Sequence, residues 1–392
     1  MARPFAHLLV KILLIWVPIS NVNPRKSVKS NKEANTFMKR VKNLFPKLIS
    51  DENIKHAISD VNKSHRRTRR GLNRTVIWIE RTLDDRVKEL RQVVLNGFKP
   101  SRPKVIVRYD HNAKKYRTIT EPKLWPDQYV HHMLIQVLMP IMMRGMDYWC
   151  CGSVKGRGCR RGQVGIHRWL TKDPKNTKYC AELDIYHFYD SIKPSVIESA
   201  FRSLIKDEII VDLIKRIVND GVQIGAYCSQ WFANVLLQPL DHYIREVLRI
   251  KHYVRYMDNM ILFGSNKRKL HEAVRKVSLF VNGLLLRLKP NWQVFRVSSR
   301  PVTALGYRYI KHYVMLRKPV FLNLKRKYRR VIKLLQMRNI IAYRMAAGLL
   351  SRLSLLARTT TRKIKMTYQK PKLISTMKRI VSFYNRGETN YA

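Results

Sequence analysis

Three apolar stretches in the middle of the chain leave few folds open: "KYCAELDIYHFY", the pair "HYVRYM" and "MILFG", and "WQVFRV". Each is short enough for a strand and is bounded by polar or turn-forming residues. Helical periodicity fills the gaps. "QWFANVLLQPLDHYIREVL" reads as one long amphipathic helix with Pro239 as a bend, and "KRKLHEAVRKVSLFVNGLLL" as another. Strand, helices, two strands, helix, strand is the order of a split βαβ, or ferredoxin-like, α+β unit. In such a sheet the first strand and the central hairpin are neighbours. Asp184, ending the first strand, and Asp258, in the hairpin turn, would then face one pocket.

Each acid has an ordinary reading by itself. Asp184 can cap the turn after its strand, although a charge there is costly unless a metal or hydrogen bonds hold it. In "YVRYMDNMILFG", Asp258 and Asn259 form a turn pair that tolerates left-handed backbone. Together they suggest more. Two carboxylates at one pocket can hold a pair of Mg²⁺ ions, which prefer oxygen ligands and substrate phosphates. Such a pair activates an attacking hydroxyl and stabilises a leaving pyrophosphate.

Charge narrows the partner. The chain carries 78 Lys and Arg against 26 Asp and Glu in 392 residues, a formal net charge of +52. Charge of one sign on that scale calls for a polyanion, and nucleic acid fits best, structural RNA included. Apolar residues make up 45%, enough for packed cores, and the length suits two or three subdomains. Five cysteines, without zinc-ligand spacing, read as reduced cytosolic thiols.

Around this middle third, "MARPFAHLLVKILLIWVPIS" resembles a signal peptide, but Lys11 interrupts an apolar run too short to span a bilayer. It reads as a docking helix or an over-extended start, with Met38 as the alternative start. Thr36 to Gly97 reads as helices, with "KSHRRTRR" an exposed basic linker. "KVIVRYD" and "KYRTIT" read as a strand pair turning near Asn112. "QYVHHMLIQVLMPIM" is helical, His131 and His132 being ordinary helix residues. "KGRGCRRGQ" is a glycine and arginine loop.

Taken in order, these motifs resemble the reverse transcriptases of bacteria, phages and their mobile elements, from about Ser50 onward. The resemblance implies a right-hand polymerase with fingers, a ferredoxin-like palm and a helical thumb. Residues 1–37 would be an N-terminal extension, 38–100 a helical region, 101–300 fingers and palm, and 301–392 the primer grip and basic thumb. "DIYHFYDSI" matches the first catalytic motif, with Asp184 as metal ligand and Tyr189 as the bulky residue that selects deoxynucleotides. "VQIGAYCSQWFAN" places Gly225, Ser229 and Gln230 beside the incoming nucleotide and template. "YVRYMDNMILFG" matches the Y-x-D-D hairpin, with Asp258 as second metal ligand and Asn259 in the catalytic set. Lys289 falls near the leaving pyrophosphate and Arg117 on the fingers strand contacting the triphosphate. "SVKGRGCRRG" resembles the glycine-rich fingers loop. "LGYRY", with Leu305, Gly306 and Tyr307, resembles the primer grip. Lys325, Arg326, Arg329 and Arg330 would contact template–primer phosphates. Several of these residues also have plain readings: Ser229 and Gln230 as polar residues at a helix start, Tyr189 as a core aromatic, Lys289 as a turn charge.

The implied cofactors are two Mg²⁺ ions, with Mn²⁺ as a substitute. The implied partners are an RNA template, a DNA primer, deoxynucleotides and a retroelement accessory protein, in the cytoplasm and without membrane insertion. I-G-x-x-x-S-Q at Ile224 to Gln230 resembles diversity-generating retroelements and related prokaryotic groups. Asn259 departs from the family's second aspartate. A unit charge about 4 Å from a cation is worth roughly 4 kcal/mol at an effective dielectric near 20. Losing half of that only in the transition state would slow the reaction about thirtyfold. Three readings follow: a working RNA-templated polymerase, a weakened fold that binds nucleic acid or serves defence, and untemplated or protein-primed synthesis.

Overall fold

The computed structural model describes residues 40–68, 71–110, 115–154 and 156–385. The N-terminal extension, the alternative start at Met38, the turn at Asn112, and Arg69 and Arg70 of the basic linker lie outside the described residues. After a single turn of helix at Phe45–Leu48 come helices Asp51–His65, Arg74–Arg81 and Leu83–Leu95. Ser50 caps Asp51–His65 and Asn73 caps Arg74–Arg81, each side chain accepting a backbone N–H of the opening turn. Between these two helices the basic linker folds into a small antiparallel ribbon, β1 (Arg67–Thr68) with β2 (Gly71–Leu72). A longer hairpin follows, β3 (Lys104–Asp110) paired with β4 (Lys115–Glu121).

A four-stranded antiparallel sheet organises the rest. Its strands are β5 (Tyr179–Asp184), β6 (Tyr253–Tyr256), β7 (Asn259–Gly264) and β8 (Gln293–Arg296), in the order β6–β7–β5–β8. The connectivity expected of a split βαβ unit is present: helices join β5 to β6, a hairpin joins β6 to β7, and helix Lys267–Gly283 joins β7 to β8.

Strand alternation divides the sheet between two cores. Ala181, Leu183, Met260 and Leu262 enter one, with helices Tyr129–Arg144, Pro194–Leu204, Glu208–Ile217 and Tyr227–Leu236. Cys180, Ile261 and Phe263 enter the other. There they meet helix Gly158–Lys172, a second sheet and the C-terminal helices Lys318–Gln336, Tyr343–Leu355 and Pro371–Asn385. The second sheet orders β9 (Val302–Ala304), β10 (Tyr307–Ile310) and β11 (Tyr313–Leu316) as β11–β10–β9. The five cysteines carry free thiols, and all but Cys159 are buried. Among the described residues no helix is long and apolar enough to cross a membrane.

Three local readings change. In the glycine and arginine stretch Gly156 and Arg157 form a turn, and Gly158–Lys172 is helix. Gly162 and Gly165 lie on its buried side, where a Cβ would collide with Leu305 and Trp149, so both glycines serve close packing. The helix carrying Pro239 is broken rather than bent. Tyr227–Leu236 ends, Gln238–His242 starts afresh with proline in its first turn, and Tyr243–Val247 continues it. Proline has no N–H to give to a continuing helix. The hairpin turn is Met257–Asp258, because Tyr256 pairs with Asn259 as the first residue of β7.

Candidate active site

The site forms where the central strand ends. Asp184 pairs with Asn259 across β5 and β7. Its backbone is gripped from both sides: Lys289 N donates to the Asp184 carbonyl at 2.8 Å, and the next amide, Ile185 N, donates to the Asp258 carbonyl at 3.3 Å. Backbone hydrogen bonds thus bring the two acids together, before any side chain acts. The Lys289 ammonium forms an ion pair with Asp184 Oδ2. Asp184 Oδ1 is buried with no hydrogen-bond partner.

Burial and the neighbouring Asp184 carboxylate push the Asp258 carboxyl up to about 6. Asn259 is exposed, and its Nδ2 donates to Asp258 Oδ1 at 3.1 Å. Burial first, and the Asp258 charge second, raise the Tyr189 phenol above its ordinary range. Asp184, Asp258, Asn259, Lys289 and Tyr189 therefore converge. Glu182 shares a strand face with Asp184 but is engaged elsewhere, by Arg300 at 3.1 Å and Thr303 N at 2.8 Å.

Beneath the turn lies a buried network with no counterpart in the sequence reading. Arg255 and Asp241 are both fully buried and meet in a two-point ion pair of 2.7 and 2.6 Å. Tyr253 OH donates to Asp241 Oδ1 at 2.7 Å, and Arg255 Nη1 donates to Asn234 Oδ1 at 2.9 Å. The same Nη1 donates to the Met257 carbonyl at 3.1 Å, and Asn234 Nδ2 donates to the Gly152 carbonyl at 2.8 Å. Met257 has φ +56°, a rare left-handed value for a side chain of its size. A Cβ on Gly152 would come within 2.5 Å of Met257 N, so glycine is what lets the turn seat there. Two opposite charges inside apolar runs, "YVRYM" and "LLQPLDHY", were the available signal.

The other expected residues fall in separate places. Arg117 lies on β4, pairing with Arg108. Gly225, at φ +118°, packs on the same strand, where a Cβ would stand 2.7 Å from the Thr120 carbonyl. Ser229 is buried and lines a cavity with Asp127 and His131, whereas Gln230 is exposed. Leu305 and Gly306 form a two-residue turn between β9 and β10, both with positive φ. Gln163 Nε2 donates to the Leu305 carbonyl at 3.0 Å, and Arg358 donates to Gln163 Oε1 at 2.6 Å. Tyr307 is buried, its hydroxyl donating to the Leu355 carbonyl at 2.9 Å. On helix Lys318–Gln336, Arg326, Arg329 and Arg330 are exposed and Lys325 half-buried, opposite buried Leu324 and Val331.

The donor set suits a divalent cation of the Mg²⁺ type. A partnerless buried carboxylate oxygen stands beside a second carboxylate, which the Asn259 amide nitrogen engages. Among the described residues no three His, Cys, Asp or Glu cluster, and Mg²⁺ typically takes only one or two carboxylates plus substrate phosphates.

The class is that of the reverse transcriptase-like nucleotidyltransferases, and the family match shows it. Residues 100–309 match the family model described as reverse transcriptase (RNA-dependent DNA polymerase). That span is more than half of the 392 residues, and the chain belongs to this family. No curated protein matches it. Similar solved structures include three of telomerase from Candida tropicalis. The apo form truncated from the C-terminal domain is 15% identical, with 55% of this chain and 54% of that one covered and a TM-score of 0.40. The complex with the TWJ fragment of telomeric RNA is 13% identical, with 70% and 55% covered and a TM-score of 0.44. The apo form is 12% identical, with 72% and 62% covered and a TM-score of 0.44. The chain thus spans less than two thirds of each of these telomerase chains.

Proposed function

We propose that the protein is an RNA-directed DNA polymerase that extends a primer by metal-assisted nucleotidyl transfer. The observation that carries this is the juxtaposition of the Asp184 and Asp258 carboxylates, one with a buried oxygen lacking any partner. Asp184 and Asp258 would hold two Mg²⁺ ions, with Mn²⁺ able to replace them; when bound, such ions activate the primer hydroxyl and stabilise the leaving pyrophosphate. Lys289, paired with Asp184 in the free protein, would turn its ammonium to a phosphate oxygen. Tyr189 crowds the sugar 2′ position. Arg117 meets the triphosphate, and Gly225 ties its strand to the helix bearing Ser229 and Gln230 beside nucleotide and template.

In this reading β3 and β4 belong to the fingers, the four-stranded sheet is the palm and the C-terminal helices are the thumb. Leu305 and Gly306 guide the primer by their turn, with buried Tyr307 as its support. Lys325, Arg326, Arg329 and Arg330 hold duplex phosphates. The I-G-x-x-x-S-Q pattern favours a retroelement of the diversity-generating type or a relative, working with an accessory protein.

Primer extension on an RNA template with Mg²⁺ and with Mn²⁺ tests the proposal. Extension is expected in both and is lost in Asp184→Ala and Asp258→Ala. RNA binding without extension in either metal would favour the second reading, a weakened polymerase fold retained for nucleic-acid binding or defence. That reading is favoured by one contact, the Asn259 amide that engages Asp258.

A further inference from the structure

The turn between β9 and β10 holds Leu305 at φ +52° and Gly306 at φ +85°. A two-residue hairpin turn with two positive φ values favours Asn or Gly at its first place, and leucine fits that region poorly. Contacts from outside the turn must therefore hold residue 305 there. Helix Gly158–Lys172 supplies them from two consecutive residues. Gly162 leaves room for the Leu305 side chain: a Cβ on this glycine would stand 2.5 Å from Leu305 Cδ1 and 3.2 Å from Val254 Cγ2. Val254 belongs to β6, the strand that leads into the Asp258 turn. Buried Gln163 holds the Leu305 main chain, its Nε2 donating to the carbonyl at 3.0 Å. Arg358 Nη1 donates to Gln163 Oε1 at 2.6 Å. A guanidinium can only donate, so this contact turns the amide oxygen to Arg358 and the amide nitrogen to Leu305. The segment around Arg358 is tied to the same small sheet. Tyr307 OH donates to the Leu355 carbonyl at 2.9 Å, and Val314 N donates to Thr360 Oγ1 at 2.9 Å.

We propose that Gln163 is a positioning residue for primer extension: oriented by Arg358, it fixes the turn at Leu305 and so sets where the primer end lies relative to Asp258. The inference rests on the polymerase reading and on the primer-guiding role of that turn. Gln163 acts through the Leu305 carbonyl, and Arg358 acts through Gln163.

The test uses the full chain, first free and then with Mg²⁺, a DNA primer on an RNA template, and deoxynucleotides. Gln163→Met keeps the side-chain length and removes the amide. In the free protein, hydrogen exchange should quicken at Tyr307 and at Arg317, whose N–H donates to the Gly306 carbonyl at 3.3 Å, with β5 and β7 unchanged. In extension assays the KM for primer should rise about tenfold, the size of one lost hydrogen bond, while kcat and the KM for deoxynucleotide stay as they were. Arg358→Met changes an exposed residue, so the fold is kept, and it should move exchange and primer KM in the same direction. Adding Leu305→Asn to Gln163→Met makes the turn Asn-Gly, which takes up this geometry unaided, and should slow the exchange again. Exchange at the turn unchanged in both Gln163→Met and Arg358→Met overturns the proposal. So does a fall in kcat with primer KM unchanged, the mark of a merely structural role. Failure of the polymerase reading is scored apart: the wild-type chain would extend no primer, while exchange at the turn would still respond to Gln163→Met.

Discussion

At Asn259 the amide does something a carboxylate cannot: it donates a hydrogen bond to Asp258. Asn259→Asp would remove that donor and put a third acid beside two others. Stability in chelator is expected to fall by about 1 kcal/mol, while Mg²⁺ affinity and primer extension rise; thermal denaturation with and without Mg²⁺ measures both. Asp258 itself sets a pH dependence. Its folded pKa of about 6 lies above the ordinary 3.8, so the folded chain holds this proton more tightly than the unfolded one. The resulting stability is present below the ordinary value and is lost as pH rises through about 6. Its size is on the order of 2 kcal/mol. Melting curves of metal-free protein from acid to neutral pH should show this loss, and Asp258→Asn should lack it.

At the scale of single elements, the hairpin between β6 and β7 is held from below by Arg255. Arg255→Met would leave Asp241 buried and uncompensated, costing about 3–5 kcal/mol. Adding Asp241→Leu should recover most of that stability. Primer extension should not recover, because the Met257 carbonyl still lacks its donor; urea denaturation beside extension rates separates the two effects. The β3–β4 hairpin depends on a different contact. Thr120 N donates to the Ile224 carbonyl at 2.7 Å, next to Gly225. Gly225→Ala would force a Cβ toward the Thr120 carbonyl at a left-handed position, costing about 1–3 kcal/mol. Loss of hydrogen-exchange protection at Thr120, with β5 and β7 still protected, is the expected outcome.

Across the whole molecule, excess positive charge becomes function only where a surface gathers it. Arg326, Arg329 and Arg330 share the exposed side of helix Lys318–Gln336 with half-buried Lys325. Replacing all four with alanine should weaken duplex binding and reduce the slope of log affinity against log salt by about 3. An unchanged slope would place the duplex elsewhere. The strand order and the meeting of Asp184 with Asp258 were legible because strand alternation and the β–helix–β–β–helix–β sequence follow directly from apolar spacing. The helix at Gly158 was not, since Gly162 and Gly165 read as loop formers until the side chains they make room for are known. Arg255 was hidden for a similar reason. A lone arginine in a strand suggests solvent, and only the fold brings Asp241 to it.

The way Asp184 is clamped has a consequence for inheritance. The spacing of the acids is set by the β5–β7 ladder and the Lys289 amide, main-chain bonds that an exchange of asparagine for aspartate leaves in place. Codons for asparagine and aspartate differ by one base. Charge at position 259 can therefore be lost and regained over generations without refitting the sheet around it.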